Sequence, residues 1–435
     1  MKDVLKNNPK AIQYTILILI PLILLALRLT LSPTLPGAES YLHLATAESL
    51  TSLSPNLYHN LLSLSPFLLS IILPSILTIL TLLILPSLLS KLGLDSEIRN
   101  LSMIMLIFTP FYLSLIYFSS PLPLILLITV ASIYLMVSGT LRNSIIATLL
   151  LATIPFMGRV YAICTIILLI SFAVAKKKTC SHAPFIAIFL TLQTVILQVY
   201  YKYPMPQLLP RISNLFVELG SWYGLSLFYL LLAILGLLYL WKKKKSYYSL
   251  FIFLIIIATI TLWIPEASIY LYIPIHILAT FGLLSVMTST WELPRLKKLS
   301  LYLIIIGIII ANVTFLSTIA KTSPHPEQIE ALEWLLDDEP HFYTVLSHPS
   351  RNYWIQAIAQ KKTITNPEEL LHTRNLEKAI QLISQSEIEY IFIDEEMKNG
   401  LVWNQPDEGL LFLLRNDETF KNVYSAQGVE IWQVK

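Results

Sequence analysis

The sequence predicts a polytopic α-helical membrane protein of about 11 transmembrane helices, ending in a C-terminal extracytoplasmic α/β domain. Three observations predict it. The 435 residues are 55% hydrophobic and 13% charged, with a mean hydropathy of +0.67, more than one water-soluble core accommodates. Leu and Ile runs recur from Ala11 to Ala320, each long enough to cross a hydrocarbon core of about 30 Å as a helix of roughly 20 residues. The balance of charge then reverses at one point, with 21 basic and 8 acidic residues up to Lys321 and 9 basic and 19 acidic from Thr322 onward. Residues 1–321 therefore read as a membrane domain and 322–435 as a soluble one.

Taken in order, Lys2, Lys6 and Lys10 precede a first apolar run that imitates a signal peptide. The run passes Leu27 without a convincing small-residue cleavage site, so it reads as a retained span. Apolar windows then give spans near 11–31, 61–89, 101–118, 122–138, 144–157, 160–175, 183–201, 223–241, 248–264, 268–288 and 299–319. As one helix, residues 143–175 would run to about 50 Å, so two short helices broken at Pro155, Gly158 and Arg159 fit better. Basic residues mark the inner side of short loops. With the N-terminus inside, 16 basic residues lie inside, the Lys176–Lys178 and Lys242–Lys245 tracts among them, and 5 outside. Eleven crossings place the C-terminus outside.

The tail reads as helix at 326–336, strand at 342–346, helix from Tyr353, strand at 363–365, helix at 367–384, strand at 390–394 and a hairpin at 423–434. Helices alternating with strands predict a small α/β domain. The two cysteines, Cys164 and Cys180, offer no disulfide framework. No basic patch with interleaved aromatics points to nucleic acid. No HExxH, CxxC pair, GxSxG or glycine-rich phosphate loop occurs.

Chemistry is then sought among the few ionisable groups in or beside apolar segments, where they are costly. If 38–50 is helical, Glu39 and His43 stand at i and i+4 on one face, with Thr46 roughly alongside. Glu39 can serve as a general base, or as an acidic first-turn residue that favours the helix dipole. His43 can join it or sit at the lipid interface. Glu48 falls roughly 180° away. Arg28, Arg159 and Arg211 can snorkel to the outer interface or bind a lipid phosphate. His276 can approach the same cavity or hydrogen-bond between helices. Oxygen ligands for a divalent cation do not converge in the outer loops, so no metal or other cofactor is expected.

An acidic residue just after the first span, a Tyr-x-His helix, many spans and an external α/β domain together resemble the GT-C superfamily of polyprenyl-phosphate-dependent glycosyltransferases. The local text is similar to archaeal oligosaccharyltransferase catalytic subunits. Glu39-Ser40-Tyr41-Leu42-His43 stands in place of an Asp-Pro-Tyr-Tyr-His segment, and Glu330–Leu335 followed by Val345-Leu346-Ser347 resembles the opening of the soluble domain. The peptide-reading Trp-Trp-Asp-Tyr-Gly segment is replaced by His348-Pro349-Ser350-Arg351-Asn352 before a matching Tyr353-Trp354-Ile355. The second acidic motif of the family is absent. The resemblance implies transfer of a sugar, with inversion, from a polyprenyl-phosphate donor such as a dolichol phosphate to an extracytoplasmic protein, lipid or glycan. Glu39 would be the base, and Arg28, Arg159 and Arg211 would stabilise the leaving phosphate. The two departures support a competing expectation, a catalytically inactive GT-C-like protein that binds a lipid or protein partner. A transporter would need midplane polar residues or a repeat.

Overall fold

The computed structural model of the protein describes residues 15, 19–26, 34–50, 56–175, 182–201, 216–219, 225–241, 244–337, 343–364, 366–405 and 407–435. The chain divides into two compact units, one of Met1–Pro33 and Ser52–Lys321, the other of Thr34–Thr51 and Thr322–Lys435.

The first unit is helical. Among the described residues, Pro66–Lys91, Ala183–Tyr200, Pro265–Thr288 and Pro294–Ile319 are long and apolar enough to cross a membrane, and Ser96–Ile107 with Pro110–Tyr117 adds a fifth segment bent by 59°. The remaining apolar helices are shorter, so the expected eleven crossings are not established by length. The sequence pattern marks apolar runs but not where a helix bends or stops inside one.

Two breaks show how the sequence interrupts a run. Pro110 has no N–H to donate to the Leu106 carbonyl, which accepts instead from the Thr109 hydroxyl at 2.7 Å. The Tyr229 hydroxyl lies 3.0 Å from the Met105 carbonyl and 2.7 Å from that of Phe108, and the Asn312 amide donates to Phe108 at 3.1 Å. In an apolar medium such carbonyls need internal partners. At Gly158 the helices Leu141–Leu151 and Ile154–Met157 give way to Arg159–Ala175, the break expected there.

Helices Leu227–Trp241 and Ile269–Thr288 approach backbone to backbone. A Cβ on Gly236 would lie 1.9 Å from the Leu278 carbonyl oxygen, and one on Gly282 1.9 Å from that of Leu232. Close contact through small residues is how helices pack where lipid removes the hydrophobic drive. Outward-facing Leu149, Phe185 and Val199 are strongly exposed, an apolar surface that suits lipid.

The second unit carries a mixed five-stranded sheet of order β2-β1-β3-β5-β4, with β1 Thr344–Leu346, β2 Lys362–Thr363, β3 Ile388–Ile393, β4 Phe420–Ala426 and β5 Val429–Val434. β1 runs parallel to β2 and β3, and β5 runs antiparallel to β3 and β4. Central β3 is buried almost throughout, as a strand covered on both faces should be. Gln427 and Gly428, with φ of 45° and 86°, close the β4–β5 hairpin in a left-handed two-residue turn. The core gathers Leu346, Ile391, Trp403, Leu410 and Phe420. The helix expected over 367–384 is two, Glu368–His372 and Leu376–Gln385, because the Asn375 side chain accepts from the Lys378 amide and starts the second one afresh. Helical turns at Met397–Leu401 and Gly409–Leu413 have no counterpart in the sequence reading.

Candidate functional site

Helix Ala38–Glu48 groups with the C-terminal domain. Gly37 enters it at φ 76°, a left-handed conformation that favours glycine, and its N–H donates to the Thr322 carbonyl at 3.3 Å. The Leu35 amide donates to the buried Tyr41 hydroxyl at 3.2 Å. Burial pushes the Tyr41 phenol up to about 12, a shift the Leu35 hydrogen bond opposes, so Tyr41 stays a neutral anchor for the entry to the helix.

Glu39 lies in the first turn, where the dipole favours a carboxylate. Its Oε1 is 3.8 Å from Nε2 of His43, and the Glu39 side chain is 44% exposed against 11% for His43. The i, i+4 face is therefore formed, an accessible carboxylate held beside a nearly buried imidazole. Such a carboxylate can accept a proton from a reacting group while the ring fixes its direction. The Thr46 hydroxyl donates to its own helix at the Leu42 carbonyl, 2.7 Å away. Burial raises the Glu48 carboxyl above the ordinary carboxylate range.

The same helix packs against Asn352–Trp354 and Ile355–Ala359, just after Arg351. Arg351 is buried there and donates through Nε to Asp394 Oδ2 at 2.6 Å and through a terminal nitrogen to Glu396. Gln328 Nε2 donates to the same Asp394 oxygen at 2.7 Å, and the Met397 amide donates to Oδ1 at 2.9 Å. Gln328 Oε1 in turn accepts from the His325 amide at 2.8 Å and closes the start of helix Pro326–Asp337. The guanidinium lies 4.6 Å from the Trp354 ring centroid. Next to it, the Ser350 amide donates to His348 Nδ1 at 3.3 Å, leaving the proton of the neutral ring on Nε2. Burial first, and then the Arg351 charge, hold the His348 imidazole below its usual range. Sequence reading missed Arg351, Asp394 and Gln328, because they are far apart in the chain and no spacing joins them.

Arg28 and Arg211 lie outside the described residues. Arg159 belongs to the first unit, where it opens helix Arg159–Ala175 and donates to Gln198 Oε1 at 3.1 Å. Glu218 accepts from the Ser226 hydroxyl at 2.8 Å and the Leu227 amide at 3.0 Å, a cap for the helix that follows. His276 is buried with Nδ1 against the Tyr272 carbonyl and its ring 5.0 Å from that of Tyr229, an interhelical packing position. Among the described residues no group of three or more His, Cys, Asp or Glu side chains converges.

Comparison with solved structures matches the whole architecture. The Archaeoglobus fulgidus oligosaccharyltransferase, tethered to an acceptor peptide containing the NVT sequon, superposes with a TM-score of 0.66 at 13% identity, covering 99% of this chain and 74% of that one. The chain has the archaeal oligosaccharyltransferase fold. AglB of the same organism, in complex with an inhibitory peptide and a dolichol-phosphate, gives a TM-score of 0.65 at 14% identity over 99% of this chain and 75% of its own. The apo form gives the same values. No protein-family model and no curated protein matches the sequence. What is shared with AglB is thus three-dimensional, and it extends over the helical unit and the unit that carries Glu39.

Proposed function

We propose that the protein is a membrane glycosyltransferase that moves a sugar from a polyprenyl-phosphate-linked donor to an extracytoplasmic acceptor. The observation that carries this reading is the AglB-like fold over 99% of the chain. The N-terminus is assigned to the cytoplasm and the C-terminal domain to the outside. Glu39 takes the proton of the acceptor nucleophile as that atom attacks the anomeric carbon. The bond from that carbon to the phosphate oxygen breaks on the opposite face, the configuration inverts, and the lipid phosphate leaves with the bonding electrons. His43 orients the carboxylate. Arg28, Arg159 and Arg211 are proposed phosphate contacts, since fixed positive charge stabilises a phosphate that is gaining charge. No step is assigned to a metal.

The replaced peptide-reading segment bears on the acceptor. Arg351 is committed to Asp394 and Glu396, so the segment reads as part of the domain's internal scaffold, and the acceptor is assigned to a class other than the sequon peptide. The same feature favours the second reading, a GT-C-like protein that binds lipid or a partner without turnover. Purified full-length protein in lipid, offered a panel of labelled polyprenyl-phosphate sugars, separates the two. Donor consumption by wild type that is lost in Glu39→Gln, with donor binding kept, supports the transferase. Binding without consumption in both proteins supports the second reading.

A further inference from the structure

In the first unit, helices Pro66–Lys91, Leu122–Val137, Arg159–Ala175, Leu227–Trp241, Lys244–Trp263 and Ile269–Thr288 border a cavity of about 290 Å³. Its wall is hydrocarbon, with Leu88, Leu126, Ile133, Phe172, Phe253 and Phe281 typical of it. Of its hydroxyl-bearing residues, Ser171 donates to the Ile167 carbonyl at 2.9 Å and Tyr270 pairs with Thr165 at 2.7 Å and the Tyr161 carbonyl at 2.9 Å, which leaves Thr129. At about 30 Å³ per water in the liquid, a void of this size would take on the order of ten waters. A wall that leaves only the Thr129 hydroxyl cannot hydrogen-bond that many waters, and apolar voids stay dry or bind apolar ligands.

The opening and its charge identify the ligand. The cavity reaches Leu92, Gly93 and Leu94, just past the C-terminus of helix Pro66–Lys91. A Cβ on Gly93 would meet nothing within 4 Å, so the wall is open at that turn. Lys91 stands exposed beside it, with Nζ 3.7 Å from the Tyr134 ring centroid. Leu240 and Leu250 also line the cavity, and in the sequence they flank Lys242–Lys245. Hydrocarbon inside and lysine at the mouth match an anionic lipid, whose headgroup gains by proximity to basic side chains. We infer that this cavity holds one hydrocarbon chain of an anionic bilayer glycerolipid, with its headgroup at Lys91. By the orientation proposed above, the mouth opens to the inner leaflet, the face opposite the sugar-transfer chemistry, and this is what assigns the site to a bilayer lipid instead of the donor tail.

The test uses full-length protein in nanodiscs containing phosphatidylglycerol or phosphatidylcholine with a photoreactive diazirine at one chain end, with cross-links mapped by mass spectrometry. The expected result is labelling by phosphatidylglycerol at Leu126, Ile133 and Phe281 as well as at lipid-facing Leu149 and Ile306. Leu126→Trp should abolish the interior cross-links and keep the surface ones. Lys91→Gln, an exposed change, should reduce interior labelling by phosphatidylglycerol to the level given by phosphatidylcholine. Wild-type labelling confined to Leu149 and Ile306 would overturn the inference. Displacement of interior labelling by added polyprenyl phosphate would also overturn it, in favour of a donor tail. No readout requires turnover, so the result stands whether or not the Glu39→Gln assay supports the transferase.

Discussion

Arg351 and Asp394 are 6% and 1% exposed, and they meet at 2.6 Å. Removal of one partner leaves a buried charge without its counter-charge, a change that costs about 3–5 kcal/mol. Arg351→Met is therefore expected to lower stability by that amount. Glu396 bonds the same guanidinium from a half-exposed position, where water screens the pair, so Glu396→Gln should cost at most about 1 kcal/mol. Thermal unfolding of the full-length protein in one detergent compares them, and equal losses would refute the buried pair as the anchor. His348 adds a pH dependence. Its imidazole is held below the ordinary value of about 6.5. Above that value both folded and unfolded chains carry it neutral, and its contribution to stability is complete. As pH falls through 6.5 toward the depressed folded value, the unfolded chain takes up protons that the folded one refuses, and stability is lost. The drop in melting temperature between pH 7.5 and 5.5 should be smaller in His348→Gln than in wild type.

Helix breaks show what the sequence discloses about elements and what it hides. Pro74 and Pro86 lie inside the unbroken helix Pro66–Lys91, whereas Pro110 stands at a bend of 59°. Proline alone therefore does not announce the break. At the bend, Tyr229 and Asn312, more than a hundred residues away, bond the Met105 and Phe108 carbonyls. The apolar runs, the break at Gly158 and the i, i+4 face of Glu39 and His43 are local, and the sequence displays them. The Arg351–Asp394 pair and the joining of helix Ala38–Glu48 to a domain that begins at Thr322 are products of tertiary packing, which local spacing does not record. Tyr229→Phe should lose about 0.6–1.7 kcal/mol, the range measured for such bonds within membranes, and unfolding in detergent reads it. Gly282→Ala should cost more. A methyl there meets the Leu232 carbonyl oxygen at 1.9 Å, so the helices must separate, and overpacking of this kind costs about 1–3 kcal/mol. A Gly282→Ala protein as stable as wild type would show that the two helices do not meet at this glycine.

For the molecule as a whole, the partition of charge makes a prediction about sidedness. Basic residues are in excess up to Lys321 and acidic residues beyond it, and short basic loops stay on the cytoplasmic side. Helix Pro294–Thr322 is the last helix long and apolar enough to cross a membrane before the sheet domain, among the described residues. Only 17% of its most apolar 18-residue window is buried, an exposed apolar surface that suits lipid, and the prediction is that this helix carries the chain from one side to the other. Ser289 lies exposed just before it and Ser384 exposed in the domain after it. In a Cys180→Ser background, with Cys164 buried, Ser384→Cys should react with an impermeant maleimide in sealed right-side-out vesicles. Ser289→Cys should react only after permeabilisation. Both positions labelled from one side would mean that helix Pro294–Thr322 does not cross, and both labelled only after permeabilisation would place the Glu39 helix with its domain on the cytoplasmic side. Labelling of Ser289 alone would keep the crossing and invert the protein, placing the carboxylate, its domain and any acceptor on the cytoplasmic side.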